Sequence, residues 1–354
     1  MSRVQNLHDL RFEELVAFLA DYEFTTFHAT KVWQSLYVDR VTAVSDIVTN
    51  RADLKALLTQ NTNLTHLQTN LAIDSTDGFT RKYLLQLEDG ATIETVQMAF
   101  KGRSTACVST QVGCAMGCVF CATGQMGFQR HLTAGEIVAQ VLFVQAALAR
   151  VGEKLRNIVL MGMGEPLHNY DATMTAVNIL THAKGIALAP KHITLSTVGI
   201  VPGIIRMADE GQAVRLAVSL HGATDEERQA LVPPAKRWPL VELMDACRYY
   251  TQKRNRRIFF EWTLIEGEND TPEQAHALGQ LLERIDSHIN LIPLNPTIGY
   301  DGLPTRDTAV TQFQQILKQY NIPSTVRQRR GIDIAAGCGQ LKAKTSVDDI
   351  PIST

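Results

Sequence analysis

The spacing of hydrophobic positions changes period along this chain and divides it into three stretches. From residue 8 to about 60, Leu10, Leu15, Phe18, Leu19, Phe27, Val32, Trp33 and Leu36 recur at helical intervals, and DLKALLTQ closes the block. That spacing predicts a small helical domain over residues 1–62. The period then falls to two. THLQTNLAID, RKYLLQLED and ATIETVQMAF alternate polar and apolar residues, and Asp77-Gly78 and Asp89-Gly90 separate them. Asp-Gly between alternating runs is a hairpin signal, because glycine tolerates the positive φ that tight turns need. Residues 63–104 are therefore expected to form a β-ribbon extension leading into the main domain.

Over 105–345, short β-rich runs alternate with helical ones. The strand candidates are ACVSTQV, NIVLMGM, HITLSTV, VRLAVSL, IFFEWTLI and INLIPLN. Between them fall TAGEIVAQVLFVQAALAR, DATMTAVNILTHA, PGIIRMADEG, LVELMDACRYYTQ and PEQAHALGQLLERI, and a further pair, TAVTQFQQILKQY and STVRQRR, follows. Six strands each followed by a helix imply parallel βαβ units with right-handed crossovers. The expected fold class is α/β, a partial (βα)6 barrel carrying the helical domain and the ribbon.

Composition narrows the setting. A chain of 354 residues exceeds what one hydrophobic core usually serves, consistent with a large domain plus an appendage. Runs such as NIVLMGMG fall short of the roughly 20 apolar residues of a membrane span, and MSRVQNLHDLRFEEL lacks a secretory apolar region. A cytoplasmic protein without membrane partners is expected. Six cysteines, three of them clustered, suit a reducing compartment. A net charge of −2 argues against indiscriminate nucleic-acid binding. Two local basic patches remain, QKRNRR (Lys253, Arg254, Arg256, Arg257) and RQRR (Arg327, Arg329, Arg330). Either patch suits phosphate contact or a solvated helix end.

The candidate chemistry starts in GCAMGCVFCATG, where Cys114, Cys118 and Cys121 are spaced C-x3-C-x2-C. Three thiolates can hold a 4Fe–4S cluster through three irons and leave the fourth open. An open iron can chelate the amino and carboxylate groups of S-adenosylmethionine, and an electron from the cluster can cleave the sulfonium to a carbon radical. The competing reading is a structural zinc site completed by a distant ligand. No second CxxC or HxxxH lies nearby, and Phe120 precedes the last cysteine.

Working residues of such barrels gather where strands run into loops. Gly162-Met163-Gly164-Glu165-Pro166 follows the second strand, Ser196-Thr197-Val198-Gly199 the third, Ser219-Leu220-His221-Gly222 the fourth and Asn295-Pro296 the sixth. Alone, GMGEP reads equally well as a tight turn and His221 as a packed histidine. Together they outline a site for S-adenosylmethionine, with Gly164 and Glu165 at its amino group. Ser196, the Ser219-Leu220-His221 run and Asn295 would surround its carboxylate and ribose. Cys107, on the first strand, reads as a small buried residue or a reactive thiol. Cys338, flanked by Gly337 and Gly339, sits in what reads as an exposed loop, and Cys247 reads as a core residue.

QVGCAMGCVFCATG, LMGMGEPLHN, ITLSTVGIVP, AVSLHGATDEER, INLIPLNPT and GIDIAAGCGQL together resemble the RlmN/Cfr family of radical-SAM adenosine methyltransferases over essentially the whole chain. The resemblance implies a radical-SAM barrel with one 4Fe–4S cluster and two molecules of S-adenosylmethionine per turnover. One methylates Cys338. The other yields a deoxyadenosyl radical that takes a hydrogen from the S-methyl group. The resulting methylene radical adds to adenine, Cys107 resolves the protein–RNA adduct through a transient disulfide with Cys338, and Glu94 in IETV matches the proton acceptor. The implied substrate is an adenosine of 23S rRNA, with transfer RNA a second candidate, and the implied electron source is an external low-potential donor. The N-terminal helical domain is implied to grip RNA.

Chemistry gives that scheme a reason. An amidine carbon of adenine is electron-poor and cannot displace a methyl group from a sulfonium, whereas a carbon radical can add there. Pro166 after Glu165 resembles the carbon-2 enzymes, alanine at that place the carbon-8 enzymes. Ala335 stands where the family pattern has aspartate, and Gly337 and Gly222 where it has alanine. Methylation at carbon 8, a radical enzyme acting on a small molecule or peptide, and a zinc-binding RNA adaptor are the alternatives.

Overall fold

The computed structural model describes residues 4–343. The chain opens with strand β1 (Gln5–Asn6), helices α1 (Phe12–Ala20), α2 (Thr26–Gln34) and α3 (Ala52–Asn61), and strand β2 (Thr62–Asn63), which pairs in parallel with β1. Leu15, Leu19, Val32, Trp33, Leu36 and Leu54 are fully buried, the inward stripe that the helical spacing calls for. Phe27 departs from that pattern. It is 67 % exposed in the first turn of α2, with Lys31 over its ring.

The ribbon is β3 (Gln68–Asp74), β4 (Thr80–Gln86) and β5 (Thr92–Phe100), all antiparallel. It leads into β6 (Arg103–Cys107), the first barrel strand. A hairpin of β7 (Gln111–Gly113) and β8 (Phe128–His131) then encloses the helical turn α4 (Ala122–Gln125) and is followed by α5 (Ala134–Ala149). Strand and helix alternate from there: β9 (Leu155–Leu160), α6 (Tyr170–Thr181), β10 (Ile193–Thr197), α7 (Val201–Asp209) and β11 (Arg215–Ser219). Helices α8 (Asp225–Leu231) and α9 (Leu240–Arg254), β12 (Ile258–Leu264), α10 (Pro272–Leu281), β13 (Ser287–Pro293), α11 (Asp307–Gln319) and β14 (Ser324–Val326) complete the chain. Thr133/Glu136, Thr224/Glu227 and Thr271/Gln274 form reciprocal capping boxes that start α5, α8 and α10.

One ten-stranded sheet carries everything, in the order β14-β13-β12-β11-β10-β9-β6-β5-β4-β3. From β14 to β6 neighbours are parallel, and from β6 to β3 antiparallel. The six expected barrel strands are β6 and β9 to β13, adjacent in chain order, as a partial α/β barrel requires. Their central residues are buried on both faces, as in Leu216-Ala217-Val218, because helices cover the parallel sheet outside and the barrel interior fills inside.

The structure refines the sequence reading at several points. ACVSTQV is not one strand: β6 stops at Cys107, and Ser109 turns the chain by donating its hydroxyl to Glu94 O and accepting Met163 N–H. STVRQRR contributes the edge strand β14, and DEERQAL forms α8. The ribbon is continuous with the barrel sheet, Val96 pairing with Cys107. The expected barrel boundary at 345 lies outside the described residues. The N-terminal helices dock on the barrel where Asp9 Oδ1 accepts the Gly135 N–H of α5 at 2.6 Å and Phe12 stacks on His182 at 4.6 Å. Among the described residues no helix is long and apolar enough to cross a membrane.

Candidate active site

The cysteine loop leaves β7 at Gly113, whose φ is +74° and where a Cβ would lie 1.9 Å from Gly127 O. Only glycine fits that approach. Cys114 N–H donates to Gly127 O, Cys121 N–H to Cys118 O and Val119 N–H to Leu231 O, so hairpin and α8 together shape the loop. Cys118 is buried, and Cys114 and Cys121 are half-buried. Burial pushes all three thiols up, Cys114 to about 12. Cys118 is raised further by Cys121, Cys114 and Glu165, while Arg228 opposes the rise. A desolvated thiol stays protonated until a metal displaces its proton.

Among the described residues no three His, Cys, Asp or Glu side chains converge closely enough for a single ion. A tetrahedral zinc draws its sulfurs to within roughly 4 Å of one another. A cubane gives each thiolate its own iron and spreads them wider. Three cysteine thiols on one short loop are the donor set that a 4Fe–4S group with one open iron takes.

The rim motifs sit where expected, with finer roles than the sequence implied. Gly164 has φ +103°, and a Cβ there would meet Gln111 at 2.6 Å. Glu165 is 2 % exposed; Oε1 accepts Leu167 N–H at 2.9 Å and Oε2 accepts Val198 N–H at 2.8 Å. Burial raises this carboxyl to about 7, with the two backbone N–H groups opposing. Glu165 is thus first a staple between the loops after β9 and β10. Gln111 Oε1 accepts the Glu165 N–H, a contact between two loops that no sequence motif signals. Ser196 Oγ and Ser219 Oγ lie 3.5 Å apart on adjacent strand ends. The Leu220 side chain is wholly in the core and its N–H is taken by Glu261 O, so only its carbonyl is left to face a ligand.

His221 is packed, as the first of its two readings has it. Its ring is buried, Nδ1 accepts Thr263 N–H at 2.9 Å, and burial lowers its pKa to about 3. The imidazole is therefore neutral with its proton on Nε2. It meets the Phe120 ring edge-on at 4.9 Å, and its backbone holds φ +60°, with the carbonyl bonded to Asn269 Nδ2. Asn295 donates from Nδ2 to Cys338 O at 3.0 Å, while its Oδ1 is buried without a partner. An orphaned acceptor on this rim suits a hydroxyl or ammonium of S-adenosylmethionine.

The segment 331–343 crosses the rim as a strap. Gly339 O accepts Ala122 N–H, Leu341 O accepts the Thr123 hydroxyl, and Gln340 Nε2 donates to Pro296 O. This strap carries Cys338. The residue keeps exposed surface, and desolvation raises its thiol, opposed by Arg327 and reinforced by Glu261 and Cys121. Cys107 at the end of β6 is buried and pushed up to about 12, by burial first and by Cys338 second. The positive surroundings that would favour a Cys107 thiolate are not what acts on it. Glu94, 1 % exposed on β5, receives Lys82 Nζ on Oε1 at 2.9 Å and the Lys342 N–H on Oε2 at 2.8 Å. Lys82 also donates to Ala335 O at 3.2 Å. Lys82, Glu94, Ala335, Gln340 and Lys342 line a cleft with room for about one water.

The two basic patches part company. Lys253 pairs with Asp209, Arg257 with Asp286, and Arg254 and Arg256 bond backbone carbonyls, all ahead of β12 on the rim opposite the cysteines. RQRR follows β14 on the cysteine side, with Arg327 Nη2 3.4 Å from Glu261 and Arg330 stacked on Phe79 and Phe100.

The family description "Radical SAM superfamily" matches residues 108–278. Dual-specificity RNA methyltransferase RlmN 1 of Myxococcus xanthus is 61 % identical, covering 96 % of this chain and 94 % of its own length. Probable dual-specificity RNA methyltransferase RlmN 2 of Opitutus terrae is 54 % identical over 95 % of this chain and 86 % of its own. A solved radical SAM methyltransferase from Sphaerobacter thermophilus superposes with a TM-score of 0.91 at 44 % identity, covering 96 % of this chain and all of that one. The likeness read from six sequence motifs thus extends from end to end, and the chain belongs to the RlmN family of radical-SAM RNA methyltransferases.

Proposed function

We propose that this enzyme methylates carbon 2 of an adenosine in 23S rRNA, and of a transfer RNA as a second substrate, in the cytoplasm. Cys338 would carry the methyl group. One observation supports this above the others: the strap that carries Cys338 over the rim is bonded to Glu94 and to the turn beginning at Cys121, with Cys107 near enough for Cys338 to act on it. The "dual-specificity" in the names of two relatives agrees with more than one RNA class.

Cys114, Cys118 and Cys121 would hold the cluster, and Glu165, Ser196, Ser219, His221 and Asn295 the S-adenosylmethionine. When bound, these groups supply a methyl group and a carbon radical, drawing one electron from an external low-potential donor. The chain does the rest. Glu94 accepts the adenine ring proton on Oε2 once the Lys342 N–H withdraws, while Lys82 keeps the carboxylate paired on Oε1. Cys107, buried beside Cys338, forms the transient disulfide that releases the product. The space beside Glu94 holds about one water, and in this reading the strap moves to admit the adenine.

The test incubates reconstituted enzyme, reductant and methyl-labelled S-adenosylmethionine with unmodified 23S rRNA or transfer RNA, then digests to nucleosides. Labelled 2-methyladenosine is expected; label on carbon 8, or none in RNA, overturns the proposal. Cys107→Ala should accumulate a covalent protein–RNA species, and Cys338→Ser should form none.

A further inference from the structure

Arg228 stands out among the buried side chains. It is 1 % exposed, Nη2 donates to Val198 O, and Nε and Nη1 are buried without any partner. Among the described residues no carboxylate pairs with it. An unpaired guanidinium in the interior carries a large desolvation cost, and native structures leave few such donors unsatisfied. A compensating negative charge therefore belongs beside it.

The surroundings identify that charge. Arg228 is on α8, whose end is tied to the cysteine loop by the Val119 N–H to Leu231 O bond at 3.1 Å. Gly222, the residue after His221, packs so closely on the Arg228 backbone that a Cβ would lie 2.6 Å from Arg228 N. His221 in turn holds the Phe120 ring between Cys118 and Cys121. Cys118, Cys247 and Asp225 are the groups near the guanidinium that can become anionic, and of these Cys118 is on the cysteine loop. A cubane on three thiolates is anionic and gains one further negative charge on reduction.

We propose that Arg228 is the buried counter-cation of the 4Fe–4S cluster, acting through Cys118, and that it raises the cluster's reduction potential. This rests on the reading that Cys114, Cys118 and Cys121 hold that cluster. A fixed positive charge stabilises the form with the extra electron, supplied by the external one-electron donor. The Val198 O contact sets the guanidinium in place and joins it, through the Val198 N–H, to Glu165. Arg228 is a positioning residue here, since it reaches the reacting atoms only through the cluster.

The experiment compares the full chain, Arg228→Met and Arg228→Lys, each reconstituted anaerobically without S-adenosylmethionine. Iron and sulfide content and an EPR-monitored redox titration are the readouts. The methionine variant should be about tenfold harder to reduce, a shift of ~59 mV for one electron. The lysine variant, which keeps the charge, should recover most of the difference in potential or in iron content. An unchanged potential in Arg228→Met, or equal iron loss in both variants, overturns the inference, because charge is then not the operative property. An unchanged potential with loss of the EPR change on adding S-adenosylmethionine also overturns it, reassigning Arg228 to the cosubstrate. If the unsubstituted chain binds no cluster, the reading of the cysteines fails instead.

Discussion

Lys82 Nζ lies 2.9 Å from Glu94 Oε1, and this ion pair is sealed beneath the strap that carries Cys338. Both side chains are almost fully buried, so neither charge is tolerable without the other. Lys82→Met should destabilise the protein by about 3–5 kcal/mol in urea unfolding. Adding Glu94→Gln should restore most of that loss. A double variant as unstable as the single one would show that Lys82 matters for packing and not for the pair.

Gly222 stands where the family pattern has alanine, and the structure gives a reason. A Cβ at this position would lie 2.6 Å from Arg228 N and 3.0 Å from Glu227 C, both backbone atoms in the middle of α8. Gly222→Ala should cost about 1–3 kcal/mol as α8 is pushed outward. Equilibrium unfolding measures it, and a neutral effect would mean that α8 yields freely.

His8 links stability to pH. Burial, reinforced by His66, lowers its pKa from 6.5 to about 4; Nδ1 accepts Thr65 N–H and Nε2 has no partner. The folded state therefore holds a neutral ring where the unfolded chain binds a proton. Its contribution is fully present above pH 6.5 and is lost as pH falls toward 4, by about 3 kcal/mol in all. The stability difference between the unsubstituted chain and His8→Gln, followed from pH 7.5 to 4.5, should shrink by about 2.5 kcal/mol, most of that amount.

Ala335 occupies the left-handed region, with φ +50°, where the family pattern has aspartate. Aspartate adopts that region more readily than alanine, and glycine does so without strain. Ala335→Gly should tighten the strap, raising hydrogen-exchange protection of the Lys342 amide about twofold. Protection that falls would mean that chain entropy outweighs the relieved strain.

Much of this site was legible because a parallel sheet delivers successive strand ends to one rim. Cys114 to Cys121, Gly164-Glu165, Ser196, Ser219 and Asn295 fell there from strand order alone. The Lys82–Glu94 pair did not. The strands β4 and β5 pair Leu84 with Glu94 and Lys82 with Val96, because the connection is the three-residue loop Glu88-Asp89-Gly90. A two-residue turn at Asp89-Gly90 would shift the register by one and send Lys82 to the opposite face from Glu94. Periodicity could not choose between those registers. QKRNRR read as a possible RNA patch because composition carries no information on which end of a strand a charge occupies. Arg228 was hidden for a related reason: DEERQAL looks like a solvated run, and only the packing of α8 on the cysteine loop buries its arginine.

The hydrogen bonds from Ala122 to Gly339 and from Thr123 to Leu341 fasten the final described segment to the turn beginning at Cys121. If Cys121 helps to hold the cluster, metal occupancy and the order of residues 331–343 are reciprocal quantities, each strengthening the other by the same free energy. Protease nicking near Cys338 becomes a gauge of iron content, readable on a gel without any assay of turnover.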